Sequence, residues 1–89
     1  MPEVSKLDAM IIKHLYQNGY TSRFKAVKVA ELNIENRKND TLYKRLIFLC
    51  AIGYVERGMK DGRSVRFYIT NKGIDFFKKE LYQEEDEDG

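Results

Sequence analysis

The side chains that could do chemistry in this sequence are cations, amides and hydroxyls set close together. Arg37, Lys38, Asn39, Thr41, Tyr43 and Lys44 fall within eight residues, and Lys60, Arg63 and Arg66 follow after a gap of fifteen. Ammonium and guanidinium groups pair with phosphate oxygens and can donate to guanine O6 and N7. The Thr41 methyl and the Tyr43 ring suit thymine methyls or the sugar-phosphate backbone. The chemistry on offer is therefore recognition of a polyanion rather than catalysis. No glycine-rich phosphate loop, nucleophile–base pair or metal-ligand cluster is visible, and contiguous carboxylates occur only at the extreme C-terminus. The single cysteine, Cys50, excludes an intramolecular disulfide and every multi-cysteine zinc motif. It reads either as a small buried hydrophobe or as half of an intersubunit disulfide. His14 has no second ligand beside it, so neither a metal nor another cofactor is expected.

The charge balance points the same way. The 89 residues carry a net +2, but all sixteen Lys and Arg lie between Lys6 and Lys79, whereas five of the fourteen acids crowd into 84–89. Without that tail, sixteen bases face nine acids, a net +7 that favours a polyanionic partner through counterion release. The tail itself reads as disordered. It either aids solubility or competes with the polyanion for the basic face. No apolar run approaches the roughly 20 residues of a membrane span, and residues 1–13 do not resemble a signal peptide. A soluble, cytoplasmic protein is expected, with one domain over residues 1–83.

The elements that must position these groups follow from periodicity. Leu7, Met10, Ile11, Ile12, Leu15 and Tyr16 mark an amphipathic helix, capped by Ser5 and stopped at Asn18-Gly19. Tyr20-Thr21-Ser22 is β-prone, and a second helix is expected from Phe24 to Glu31 or Leu32 with Phe24, Val27 and Leu32 inward. Residues 33–38 read as a polar turn. A third helix is N-capped by Asn39 or Asp40, carries an inward seam of Leu42, Leu46 and Leu49, and ends at Gly53. From Tyr54 the period changes to two, and Asp61-Gly62 between two alternating runs predicts a β-hairpin. Thr70 caps a last helix bearing Ile74, Phe76, Phe77, Leu81 and Tyr82. The order is that of a winged helix-turn-helix: an α+β, mainly α fold with a three-helix core, a hairpin wing and a C-terminal helix.

Leu49, Gly53, Tyr54, Val55, Glu56 and Arg57, then Asp61-Gly62-Arg63-Ser64, Val65, Phe67 and Ile69-Thr70-Asn71-Lys72-Gly73, resemble the winged-helix regulators of the MarR type. The shortness of the chain on either side of that core makes it closer to the small winged-helix regulators of archaea and their viruses. The resemblance implies a sequence-specific transcriptional regulator of double-stranded DNA. Its third helix would enter the major groove and Arg63 at the wing tip the minor groove, with Lys60 and Arg66 on phosphates. Those relatives carry longer terminal helices that form a dimer and often an effector pocket. With little before Leu7 or after Tyr82, no small-molecule effector is expected here.

The first and last helices carry more apolar residues than one core face requires. Met10, Ile12, Tyr16, Phe76, Phe77, Leu81 and Tyr82 are therefore expected at a homodimer interface, which would suit a pseudo-palindromic site. A winged helix that docks protein or RNA is the alternative, and Phe48 on the third helix leaves it room.

Overall fold

The computed structural model describes residues 4–60 and 62–81. Helix α1 spans Lys6–Gln17, and its start is the capping box that Ser5 foreshadows. The Asp8 amide donates to Ser5 Oγ at 3.1 Å and the Ser5 amide donates to Asp8 Oδ2 at 3.0 Å. At the other end Asn18 closes the helix through bonds from its amide and side chain to the His14 carbonyl.

The segment expected to be a second helix folds otherwise. Lys25 bonds back to Ser22 in a tight turn, strand β1 occupies Val27–Lys28, and only one 3-10 turn, Val29–Glu31, remains of the helix. The cause is a partner remote in sequence: Val27 and Lys28 pair antiparallel with Phe67 and Arg66. β-branched Val27 and Val29 suit that pairing better than a helix. Val27 and Leu32 do face the core, but Phe24 is 77 % exposed. Ile34, inside the supposed polar turn, plugs the core, and Glu35 and Asn36 beyond it take φ of 51° and 55°.

Helix α2 spans Asn39–Ala51 with Lys38 at the cap position, one residue ahead of the expected cap at Asn39. Leu42, Leu46 and Leu49 are fully buried, and Gly53 beyond the helix adopts φ 88° as a left-handed C′ residue. Strands β2 (Val55–Arg57) and β3 (Arg66–Ile69) pair antiparallel, giving a three-stranded sheet in the order β1-β3-β2. The connection between them is wider than a two-residue turn because the chain peels away after Arg57. Gly58 still bonds to the Arg66 carbonyl, but the Met59 amide donates to the Arg23 carbonyl at 2.9 Å. Any Cβ at Gly58 would lie 2.7 Å from the Ala26 methyl, so this crossing requires glycine.

Thr70 then starts α3, Asn71–Phe76, which continues as a π-helical turn over Phe77–Leu81. Its hydroxyl accepts from the Gly73 amide and donates to the Gly53 carbonyl at 2.6 Å, while Lys72 Nζ donates to the Ile52 carbonyl at 3.1 Å. The end of α2 and the start of α3 are thereby joined across the neck of the hairpin. Gly73 packs so closely on the Tyr54 carbonyl that no side chain fits. One apolar core, running from Leu7 through Val27, Leu42, Leu46, Phe67 and Ile69 to Phe77, unites helices and sheet. Among the described residues no helix is long and apolar enough to cross a membrane.

Candidate nucleic-acid interface

Helix α2 has its inner stripe locked by three leucines, so the identity of its outward residues is decided by geometry alone. Tyr43 and Lys44 are exposed and Thr41 is half-buried. Tyr43, 43 % exposed, rests the edge of its ring against Phe67 of β3 with centroids 6.1 Å apart. That contact puts the outer flank of α2 beside the sheet that carries the wing. Lys38 and Asn39 stand exposed at the helix start, where unpaired amides and the helix dipole favour an anion. Arg37 is exposed too, its Nη2 lying 3.7 Å from Glu35.

On the wing, Lys60 and Arg63 are exposed, and Gly62 beside Arg63 has φ 65°. Arg66 differs from them. Its guanidinium is half-buried and donates to the Ala26 carbonyl at 3.4 Å, bracing β3 against the approach to β1. Tyr68, next on the outer face, donates its hydroxyl to Glu56 across the strand pair at 2.6 Å, which together with burial pushes the phenol pKa up.

Sequence reasoning missed the role of Arg45. Its Nε and Nη2 donate to Asp8 Oδ1 and Oδ2 at 2.7 and 2.6 Å, a bidentate pair whose carboxylate is fully buried. The guanidinium also lies 4.5 Å from the Phe48 ring centroid. Burial alone would raise the Asp8 carboxyl, but Arg45 and the Ser5 amide and hydroxyl outweigh it and hold the pKa below the usual value. Arg45 thus fixes the rotation of α2 about its axis. Ser5 was legible as the N-cap; the pairing of Asp8 with a residue 37 positions away was not.

The apolar residues expected at a dimer interface divide into two sets. Ile12 is fully buried and Phe77 is 2 % exposed, so both belong to the protomer's own core and are not free to meet a partner. Phe77 packs against Tyr16 with centroids at 4.8 Å, and Phe76 stacks on Tyr54 at the same distance. Met10 and Leu81 are half-buried and line a groove with Lys6, Ala9 and Lys13. Tyr82 and the acidic tail lie outside the described residues. Cys50 is a free, half-buried thiol that burial pushes up in pKa, which keeps it protonated and unreactive near neutrality.

No protein-family profile matches the sequence, and no curated protein matches it either. Among solved structures, TubR from Bacillus megaterium pBM400 aligns with a TM-score of 0.74 at 24% identity, over 90% of this chain and 89% of that one. The chain has a winged-helix fold like that of TubR.

Proposed function

We propose that the chain is a sequence-specific regulator of transcription that binds double-stranded DNA in the cytoplasm, with residues 1–83 as the binding domain. The observation that supports this most directly is the division of α2. Its inner stripe is held by Leu42, Leu46, Leu49 and the Asp8–Arg45 pair, leaving Lys44 outward, Tyr43 on the flank beside the sheet and half-buried Thr41 on the flank that carries Arg45. In this reading α2 lies in the major groove, with Lys44 donating to phosphate or guanine and Thr41 and Tyr43 against thymine methyls or backbone. Arg37, Lys38 and Asn39 take phosphates at the helix start. Arg63 reaches into the minor groove, where negative potential concentrates, and Lys60 and Arg66 serve the flanking phosphates. The resemblance of 49–73 to MarR-type regulators supports the same assignment. Homodimerisation would use Met10, Tyr16, Phe76, Leu81 and Tyr82 and would match a pseudo-palindromic site.

A protein-docking winged helix would present an apolar reading helix, whereas the Phe48 ring is half-buried and covered by the Arg45 guanidinium. Gel shifts of a mixed-sequence duplex at two salt concentrations test the proposal. Affinity falling steeply with salt is expected, and binding absent at low salt would refute it. Selection from a random duplex library should then return sites with two-fold symmetry, and a monomeric mass at micromolar concentration would remove the dimer from the proposal.

A further inference from the structure

The most exposed aromatic ring among the described residues belongs to Phe24, and nothing in the reading above uses it. It does not hang from a loose loop. Lys25 donates its amide to both the carbonyl and the hydroxyl of Ser22, at 3.0 and 3.1 Å, closing a tight turn with Arg23 and Phe24 at its centre. The turn is pinned to the wing root from the other side: Arg23 O accepts the Met59 amide, and Gly58 packs so near that a Cβ would lie 2.8 Å from that same oxygen. Met59 itself, 44 % exposed, adds a second apolar group beside the turn.

The surroundings of the ring are cationic. Arg23 and Lys25 flank it in sequence, the Arg23 guanidinium sits 5.9 Å from the ring centroid, and Lys60 follows Met59. No carboxylate occurs in the sequence between Asp8 and Glu31. Glu56 shares a surface pocket with Arg23, but it already accepts the Tyr68 hydroxyl. An exposed phenyl with a positive charge on each side matches a partner that offers flat apolar surface between regularly spaced anions. The sugar-phosphate strand of a duplex has that form, with a deoxyribose face between successive phosphates.

We infer that the Arg23-Phe24-Lys25 turn is a second DNA-contacting element, which packs the Phe24 ring on a deoxyribose of the strand flanking the wing's groove while Arg23 and Lys25 hold the phosphates on either side. This rests on the DNA-binding reading of the wing. The spacing agrees with it. Three residues lie between Met59 and Arg63, so at most about 13 Å of extended chain separates them, and the minor groove is about 6 Å wide. With Arg63 in the groove, the wing root and its attached turn stay within reach of the strand that borders it.

The test is fluorescence anisotropy of the full chain with a labelled 30-base-pair mixed-sequence duplex, across a salt series, for the wild type, Phe24→Ala and the double variant Arg23→Ala/Lys25→Ala. Because the ring is exposed, Phe24→Ala should leave the thermal midpoint unchanged. Removing a half-buried contact of this size should weaken binding about fivefold with the salt slope intact. The double variant should flatten the slope by about 1–2, since each phosphate contact contributes about 0.9. Wild-type affinity in Phe24→Ala would overturn the inference while leaving the wing assignment standing. If that variant also lost dimer mass in sedimentation, the ring would instead be a contact between copies. A wild type that failed to bind the duplex at all would sink the DNA reading itself.

Discussion

Removing either partner of the Asp8–Arg45 pair should destabilise the protein, but by unequal amounts. Asp8 is fully buried, whereas the Arg45 side chain is 34 % exposed. In Asp8→Asn the guanidinium loses its partner but can turn toward water, and the amide oxygen still accepts one bond, so the cost should be about 1.5–2.5 kcal/mol. In Arg45→Met the side chain stays unbranched and of similar length but the guanidinium over Phe48 is lost, a buried carboxylate is left with only the Ser5 groups, and about 3–4 kcal/mol is expected. Urea denaturation at pH 7 reads the difference: with a slope of about 1 kcal/mol/M for a chain of this size, the two midpoints should differ by about 0.5–2.5 M. pH separates the variants further. In the wild type the Asp8 pKa is lowered on folding, so its contribution is complete above the usual carboxylate range and is lost as pH falls through the depressed value. In Arg45→Met only burial and the Ser5 bonds remain, protonation of Asp8 relieves the orphaned charge, and the deficit against wild type should shrink between pH 7 and pH 4. Equal midpoints for the two variants, or a deficit that does not change with pH, would refute the claim that the buried carboxylate depends on Arg45.

Three further outcomes are expected. Arg63→Ala should weaken duplex binding by about 1–3 kcal/mol in a titration, and unchanged affinity with an unchanged salt slope would make the wing assignment wrong. Gly73→Ala should cost about 2–4 kcal/mol because its Cβ meets the Tyr54 carbonyl and comes within 2.7 Å of Ile69, while Gly19→Ala, with nothing within 4 Å, should lose only about 1 kcal/mol to its backbone conformation. Thermal melts of the two variants decide whether close packing or φ is the larger effect. Glu35→Gly should stabilise by about 0.5–1 kcal/mol by relieving a left-handed residue that carries a Cβ, and a lower melting midpoint would show the Glu35–Arg37 contact to be the stronger influence.

What was legible in the sequence is what is enforced locally. Ser5 and Thr70 cap the helices expected of them, Gly53 ends α2, and the 42/46/49 leucine seam is buried throughout. Much of the stretch that resembles MarR-type regulators has an architectural cause: Gly53 needs a positive φ, Gly73 lies against a carbonyl, and Thr70 joins two helices. What was not legible depends on partners far along the chain. Nothing within 24–32 announces that Val27 will pair with Phe67, so helical spacing was read where strand and 3-10 turn form. Phe24 was placed inward by the same reading. The apolar surplus at the chain ends is over-assigned to a second copy at Ile12 and Phe77, which the protomer's own core buries. The basic residues of the candidate interface were identifiable by type, but whether a given cation is engaged, as Arg45 and Arg66 are, depends on three-dimensional neighbours.

The Thr70 hydroxyl, bonded at once to Gly53 and Gly73, cinches the arm between them like a drawstring. The eighteen residues from Gly53 to Thr70 are tied at their two ends by this hydroxyl, and pairing with β1 and the Met59–Arg23 bond hold them farther out. Sway at the tip is therefore checked by the Met59–Arg23 bond and the β1 pairing before it reaches the leucine core. Lengthening the outermost loop around 60–64 should leave the body almost as stable as before, since doubling such a loop costs only about 0.6 kcal/mol. In a lineage of such chains the reach of the arm can drift, and with it the spacing of what it touches, while the rest of the architecture stays put.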